Sequence, residues 1–199
     1  MEVTMGTRNR SSNNRPLVRV YTQSNTAQSI NSLGGTTYLW GTSPLIDNYR
    51  AYNTSTGIFR APFTGIYEFY TSYAAAEAVN SELQPVPEVR CDIFAVKYPA
   101  NSSLGGFITP NPCRNSAYRT NGITDLITAV DGVDVFNTGG AGARFRTHQN
   151  VQIPSVNTFI LELLSGEGLA FEGAGFSEGG AGLFPLNAVR VLKITEIAK

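Results

Sequence analysis

Ser177 is the residue whose neighbours come nearest to a catalytic motif. It lies in the run Gly-Phe-Ser-Glu-Gly at 175–179, which matches the G-x-S-x-G pattern that carries the nucleophile of many hydrolases. In those enzymes the serine sits on a strand-to-helix turn, and an acid and a histidine follow it in the chain. Here the single histidine, His148, precedes Ser177, and no helical pattern follows the serine. We therefore predict a chain without catalytic residues, and a flexible glycine loop over residues 172–182, which include Ser177.

The acidic segment at 131–137 comes nearest to a metal site. Asp131, Asp134 and Asn137 could supply oxygen ligands to a calcium ion, but they do not complete the spacing of a calcium-binding loop. The glycine runs at 139–142 and 179–182 lack the spacing and the lysine of a phosphate-binding loop. The sequence therefore predicts neither a metal ion nor a cofactor, and calcium binding at 131–137 stays open as the alternative.

Two cysteines, Cys91 and Cys113, offer thiol chemistry. Cys91 alternates with Val89, Ile93 and Ala95, which indicates the apolar face of a strand, whereas Cys113 lies in a turn-rich segment with two prolines. Free thiols are expected in a chain without a secretory signal, one of them buried and inert and the other in a loop. The alternative is a disulfide between them, which would add about 3 kcal/mol by loop closure.

The composition is poor in charge. Among 199 residues only 15% are charged, against about 25% in ordinary soluble domains. Fifteen basic and fifteen acidic residues cancel, which argues against nucleic acid as a general partner. We expect no membrane span, because no apolar stretch approaches about 18 residues. The first twenty residues contain no apolar run of signal-peptide length, so synthesis in a cytosol is expected.

The first 16 residues form a predicted N-terminal arm that is polar and basic. Arg8, Arg10 and Arg15 lie in it, and a Ser-Ser-Asn-Asn run separates the second from the third. Such a segment is disordered in isolation, and ordering about fifteen residues costs on the order of 15 to 30 kcal/mol. An ordered arm must therefore contact its own domain or a neighbouring subunit, and we predict that these arginines belong to an assembly arm. Contact with nucleic acid is the weaker alternative.

Apolar residues recur at every second position along most of the chain, which is typical of β-strands. The alternation is cleanest at 66–73, and the segment at 156–164 is apolar on nearly both faces, which predicts a central strand of a sandwich. Only 73–83 has helical propensity. About eight to ten strands without a dividing linker predict one all-β domain over residues 17–199, an antiparallel sandwich.

Residues 36–73 resemble the signature region of the globular heads of complement's first component, within the jelly-roll superfamily that includes tumour necrosis factor. That pattern has a T-G turn, a short strand, a P-x-x-G turn and a strand with Y-x-F. Its matches here are Thr56, Gly57, Phe59, Pro62, Gly65, Tyr67 and Phe69. We expect positive φ at Gly57 and Gly65, and a shared core for Phe59, Tyr67 and Phe69. A weaker match at 159–173 places Gly166 at a turn. The resemblance implies a jelly roll that forms a homotrimer.

These observations favour a structural protein of a virus particle, such as a capsid, minor capsid, spike or cement component. Its expected partners are copies of itself and other capsid proteins, and its expected location is the virion. The alternative is a phage or bacterial recognition module with a trimeric jelly-roll head, whose loops bind a host receptor or a glycan. Trp40 is the single tryptophan for sugar stacking, although nine tyrosines could contribute.

Overall fold

The computed structural model of the 199-residue chain describes residues 15–31, 35–75, 88–113, 116–120, 151–177, 183–186 and 189–199. All regular elements within these ranges are β-strands, so the predicted all-β class is confirmed. In chain order the strands are β1 (Arg19–Asn25), β2 (Gln28–Asn31), β3 (Thr36–Thr37), β4 (Ile46–Asp47), β5 (Tyr52–Asn53), β6 (Ile58–Arg60), β7 (Gly65–Tyr73), β8 (Glu88–Tyr98), β9 (Gly106–Phe107), β10 (Ser116–Thr120), β11 (Val151–Ile153), β12 (Ser155–Leu163), β13 (Gly168–Ser177), β14 (Leu183–Leu186) and β15 (Val189–Ala198).

The long strands form two antiparallel sheets that share one core. The five-stranded sheet has the order β12-β7-β15-β1-β4. The eight-stranded sheet has the main order β11-β10-β8-β13-β6-β5, with β3 added to β13 and β9 added to β8. A separate ribbon pairs β14 with β2. Because the first and last long strands, β1 and β15, are neighbours, the connectivity is that of a jelly roll, as predicted.

The core between the sheets is aromatic, and β7 shows how it forms. Residues of β7 alternate between buried and accessible, and Tyr67 and Phe69 are on the buried side. The Phe69 ring centre lies 5.9 Å from that of Phe59 and 6.5 Å from that of Phe171, both on the facing sheet. Tyr67 packs edge-on against Phe59 at 5.4 Å. Each fully buried ring of this kind contributes about 1.5–3 kcal/mol, so these contacts hold the two sheets together.

Gly57 and Gly65 require glycine for different structural reasons. Gly57 has the predicted positive φ, at 70°. Gly65 does not, so that prediction is wrong, and the residue begins β7 in extended conformation. A Cβ at Gly65 would lie 2.9 Å from the carbonyl oxygen of Ala198 and 2.9 Å from Oε1 of Glu196. The close approach of β15, and not a left-handed turn, is what requires glycine there.

Strand β13 occupies part of the segment predicted to be a flexible glycine loop. It continues to Ser177 and pairs with β8 along its whole length. A Cβ at Gly173 would lie 1.9 Å from Cε1 of Tyr38, so the missing side chain makes room for the tyrosine ring. The loop prediction is wrong up to Ser177, because these small residues allow close packing on a regular strand.

Among the described strands, β12 is the last in the order of its sheet, whereas its apolar character predicted a central strand. It pairs with β7 on one side, from Ser155 opposite Tyr73 to Leu163 opposite Gly65. The inner side chains of β12 enter the core, but its outer apolar side chains, Val156 and Ile160, are exposed. The prediction fails because it assumed that the same chain covers both faces of the strand.

Several predicted features lie outside the described residues. They are the arm residues Arg8 and Arg10, His148, the segment from Asp131 to Asn137, and most of the helix candidate at 73–83. Of that candidate, Tyr73 is the last residue of β7 and Ala75 is buried.

Replacing Gly65 by alanine is expected to lower the free energy of unfolding by about 1–3 kcal/mol, because the Ala198 carbonyl and the Glu196 carboxylate must move. Gly106→Ala is the matched control, since a Cβ at Gly106 meets no atom within 4 Å. It should change stability by less than about 0.5 kcal/mol. Urea denaturation followed by the fluorescence of Trp40 measures both variants, and equal losses would contradict the close-approach explanation.

Candidate functional site

The described part of the chain lacks a cluster of catalytic or metal-binding side chains. Within it, no group of three or more His, Cys, Asp or Glu residues is placed to hold a metal ion. Cys91 and Cys113 are free and fully buried, and burial raises the pKa of each thiol to about 12. Cys113 lies in a loop, as predicted, but it is not accessible there. Both thiols are therefore protonated and unreactive at neutral pH.

The most distinctive surface is the solvent side of the five-stranded sheet, here called the outer face. It consists of the residues that alternate with the core positions of β12, β7, β15, β1 and β4, and the strand register aligns them in rows. One row contains Thr158, Tyr70, Lys193, Tyr21 and Ile46. The adjacent row contains Ile160, Glu68, Thr195 and Arg19. The core contacts that set the register therefore also set the pattern of this surface.

Large apolar side chains are concentrated on the outer face. Val156 and Ile160 of β12 are 47% and 58% exposed, and Ile66, Ile197 and Ile46 are 37%, 45% and 46% exposed. These five make up more than half of the exposed large apolar side chains in the described ranges. Large apolar side chains that are exposed and gathered on one face of a sheet are typical of a surface that another polypeptide covers.

Four charged residues divide the outer face into an acidic half and a basic half. Glu162 lies on β12 and Glu68 on β7, while Lys193 lies on β15 and Arg19 on β1. None of the four forms an ion pair with a described residue of its own chain. The acidic strands and the basic strands are adjacent in the sheet, so the boundary between the halves runs between β7 and β15.

Two tyrosines hold the Lys193 side chain near the middle of the outer face. Its Nζ atom lies 5.4 Å from the ring centre of Tyr21 and 5.2 Å from that of Tyr70. Both distances are within the range of cation–π attraction, which contributes about 0.5–1 kcal/mol at exposed sites. The ammonium is thus positioned by its own sheet while its charge stays available to a partner.

The root of the predicted arm is attached to its own domain by Arg15. The guanidinium donates hydrogen bonds to both carboxylate oxygens of Glu196, at 2.6 Å for the Nη1–Oε2 pair, and its Cζ atom lies 3.8 Å from the ring centre of Phe63. Glu196 is fully buried and also accepts a hydrogen bond from the backbone N–H of Val18 at 3.0 Å. Lys199 Nζ donates to the Arg15 carbonyl at 2.8 Å. These contacts hold Arg15 against the end of β15.

The Glu196 carboxylate is ionised at neutral pH in spite of its burial. Desolvation would raise its pKa, but the hydrogen bonds from Arg15 and from the Val18 N–H, with the charges of Arg15 and Lys199, outweigh that effect and lower it. The hydrogen bond to Glu196 likewise raises the pKa of Arg15. The two groups form a charge-neutral pair at the end of the sandwich.

The described residues that the sequence singled out as candidate site residues lie in the core and at one end of the sandwich. Phe59, Tyr67 and Phe69 lie together in the core, and Gly65 lies at its end, beside Glu196. Arg15 is bound at that same end of the sandwich. The assembly role of the arginines stays a prediction.

Sequence reasoning missed Glu196 and Lys193. Glu196 had a usable signal: it occupies the phase of β15 that Leu192 and Ile194 fill with apolar side chains, and a charge in an apolar phase indicates a buried partner. Lys193 had none, because its two tyrosine neighbours come from distant strands.

Two solved structures have a similar fold. The globular domain of zebrafish complement 1qA protein matches with a TM-score of 0.51 at 14% identity, over 92% of this chain and 98% of that chain. Eiger TNF from S. frugiperda matches with a TM-score of 0.53 at 11% identity, over 93% of this chain and 95% of that chain. At these identities the likeness shows the jelly-roll fold alone. No protein-family profile and no curated protein matches the chain. In the described ranges, no helix has the length and apolar character needed to span a membrane.

Replacing Glu196 by glutamine is expected to lower the free energy of unfolding at pH 7 by about 1–3 kcal/mol, because the Arg15 guanidinium loses its charged acceptor. In the wild type the lowered pKa of Glu196 makes this contribution full at neutral pH, and it is lost as the pH falls through that pKa. The variant cannot titrate there, so its stability should fall less between pH 7 and pH 3. Urea midpoints at the two pH values measure the effect, and parallel curves would contradict the role of Glu196.

Proposed function

We propose that this chain is a non-enzymatic structural protein of a virus particle and that it assembles as a homotrimer through the outer face of its jelly roll. The observation that carries the proposal is the set of five exposed large apolar side chains on the five-stranded sheet, with Val156 and Ile160 on β12. Its jelly-roll fold, shared with the complement globular domain and Eiger TNF, supports a head built for contacts and not for catalysis.

Copies of the same chain are the partner that best suits the outer face. The face carries two acidic and two basic side chains, so it has no net charge that would call for a strongly acidic or basic partner. It also exposes five large apolar side chains, and homo-oligomer interfaces are more apolar than the rest of a protein surface. Association of identical copies would cover the apolar side chains and leave no excess charge.

The role in a virus particle is supported by the composition and by the arm. Only 15% of the residues are charged, which suits a subunit that is covered by neighbours on several sides. The Arg15–Glu196 pair holds residue 15, which directly follows residues 1–14 of the proposed arm, against the domain. An arm with a fixed root and a polar, basic sequence can connect a subunit to the next one or to other capsid proteins.

Ile160→Lys is expected to dissociate the homotrimer, because it places a charge in the apolar part of the proposed contact. Leu104→Lys is the matched control, since Leu104 is 80% exposed and lies outside the five-stranded sheet. Light scattering coupled to size-exclusion chromatography should give a trimer of the 21.4 kDa chain for the wild type and the control, and a monomer for Ile160→Lys. A monomeric wild type, or a trimeric Ile160→Lys variant, would contradict the proposed interface.

Removal of residues 1–14 is expected to leave the homotrimer intact and to abolish its assembly into larger particles. Arg15 is retained in this variant, so the domain keeps its ion pair with Glu196. Sedimentation velocity and negative-stain electron microscopy would compare the shortened chain with the full chain. Particles of equal size from both chains would exclude the arm from assembly, and a full chain that stops at the trimer would contradict the proposed virion role.

A further inference from the structure

The charged residues of the outer face are ordered by sign across the sheet. The acidic residues Glu162 and Glu68 lie on β12 and β7, and the basic residues Lys193 and Arg19 lie on β15 and β1. Along the sheet the sequence of charges is therefore negative, negative, positive, positive. Such a surface is complementary to a second copy of itself when opposite halves meet, and repulsive when like halves meet.

We propose that each subunit of the homotrimer places the acidic half of its outer face, Glu162 and Glu68, against the basic half, Lys193 and Arg19, of the next subunit. This inference rests on the homotrimer proposed above and specifies its register. In a ring of three, each subunit offers its acidic half to one neighbour and its basic half to the other, so every charged group finds a partner.

The charges are available for this contact because the chain does not neutralise them internally. Glu68 lies opposite Thr195, two positions from Lys193 on the adjacent strand, which makes Glu68 and Lys193 diagonal neighbours. Even so, no ion pair forms between them, and Lys193 instead lies between Tyr21 and Tyr70. A lysine held in this way loses little side-chain freedom when an acidic group of another copy approaches.

The apolar residues are placed where they strengthen the same contact. Ile160 lies directly opposite Glu68, and Val156 lies on the same side of β12 as Glu162. Contact through the acidic half therefore also buries the two most exposed apolar side chains of the outer face. The apolar area provides affinity, and the charge order selects one register.

Charge reversal in the full-length chain tests the register. Glu162→Lys and Lys193→Glu are each expected to raise the concentration at which the trimer half-dissociates by roughly tenfold or more, because like charges then meet in every interface. The double variant Glu162→Lys/Lys193→Glu should return that concentration to near the wild-type value, since positions 162 and 193 then again carry opposite charges across each interface. Glu172→Lys is the matched control: Glu172 lies on β13 in the other sheet, and its reversal should have no effect on the trimer.

Native mass spectrometry and sedimentation velocity give the oligomer, and circular dichroism confirms that each variant is folded. A salt titration of the wild type adds a test that needs no substitution, because screening of the proposed pairs should weaken the trimer as ionic strength rises. If the single variants form trimers as stable as the wild type, or the double variant is no better than they are, the register is wrong and the homotrimer stands. A wild type that is not trimeric overturns the homotrimer and the register together.

Discussion

The register of β7 between β12 and β15 is the constraint on which the rest of this molecule depends. It places Tyr67 and Phe69 in the core, where they contact Phe59 of the facing sheet. A slip of one residue would exchange these rings for Glu68 and Tyr70, and the sandwich would lose its aromatic contacts. Because β12 and β15 both pair with β7, the outer-face positions of these three strands follow from the burial of Tyr67 and Phe69.

At the end of the sandwich the same alternation buries a charged residue, which costs desolvation free energy. The inner phase of β15 brings Glu196 inside, and the carboxylate is tolerated because Gly65 leaves space for it while Arg15 and the Val18 N–H bind it. A buried ion pair adds less stability than well-packed apolar groups would. Here the pair holds the residues just before β1 against the end of β15.

The sequence predicts correctly which residues of a strand alternate between its two faces, but it does not predict whether both of those faces are buried. The period-two pattern of residues 66–73 identified the inner side of β7 correctly, because burial of aromatic rings imposes that pattern directly. The apolar residues of β12 predict a central strand, but the pattern does not show that Val156 and Ile160 are exposed. Gly65 and Gly173 were assigned to turn and loop, because composition does not separate a left-handed φ from the close approach of Ala198 or Tyr38.

The structure shows where some of the few charged residues of this chain lie. Four charges on the outer face are spread among exposed apolar side chains, and they divide by sign between two pairs of strands. Charged side chains on a strand with exposed apolar residues are a common means of limiting non-specific pairing of strands. The same few charges can then serve two ends: they discourage a wrong neighbour, whose like charges repel, and they admit a copy in the register where opposite halves meet. A protein with many more surface charges would lose the apolar area that makes such a contact stable. A specific contact between copies therefore requires both few charges and a fixed order of those charges across the sheet.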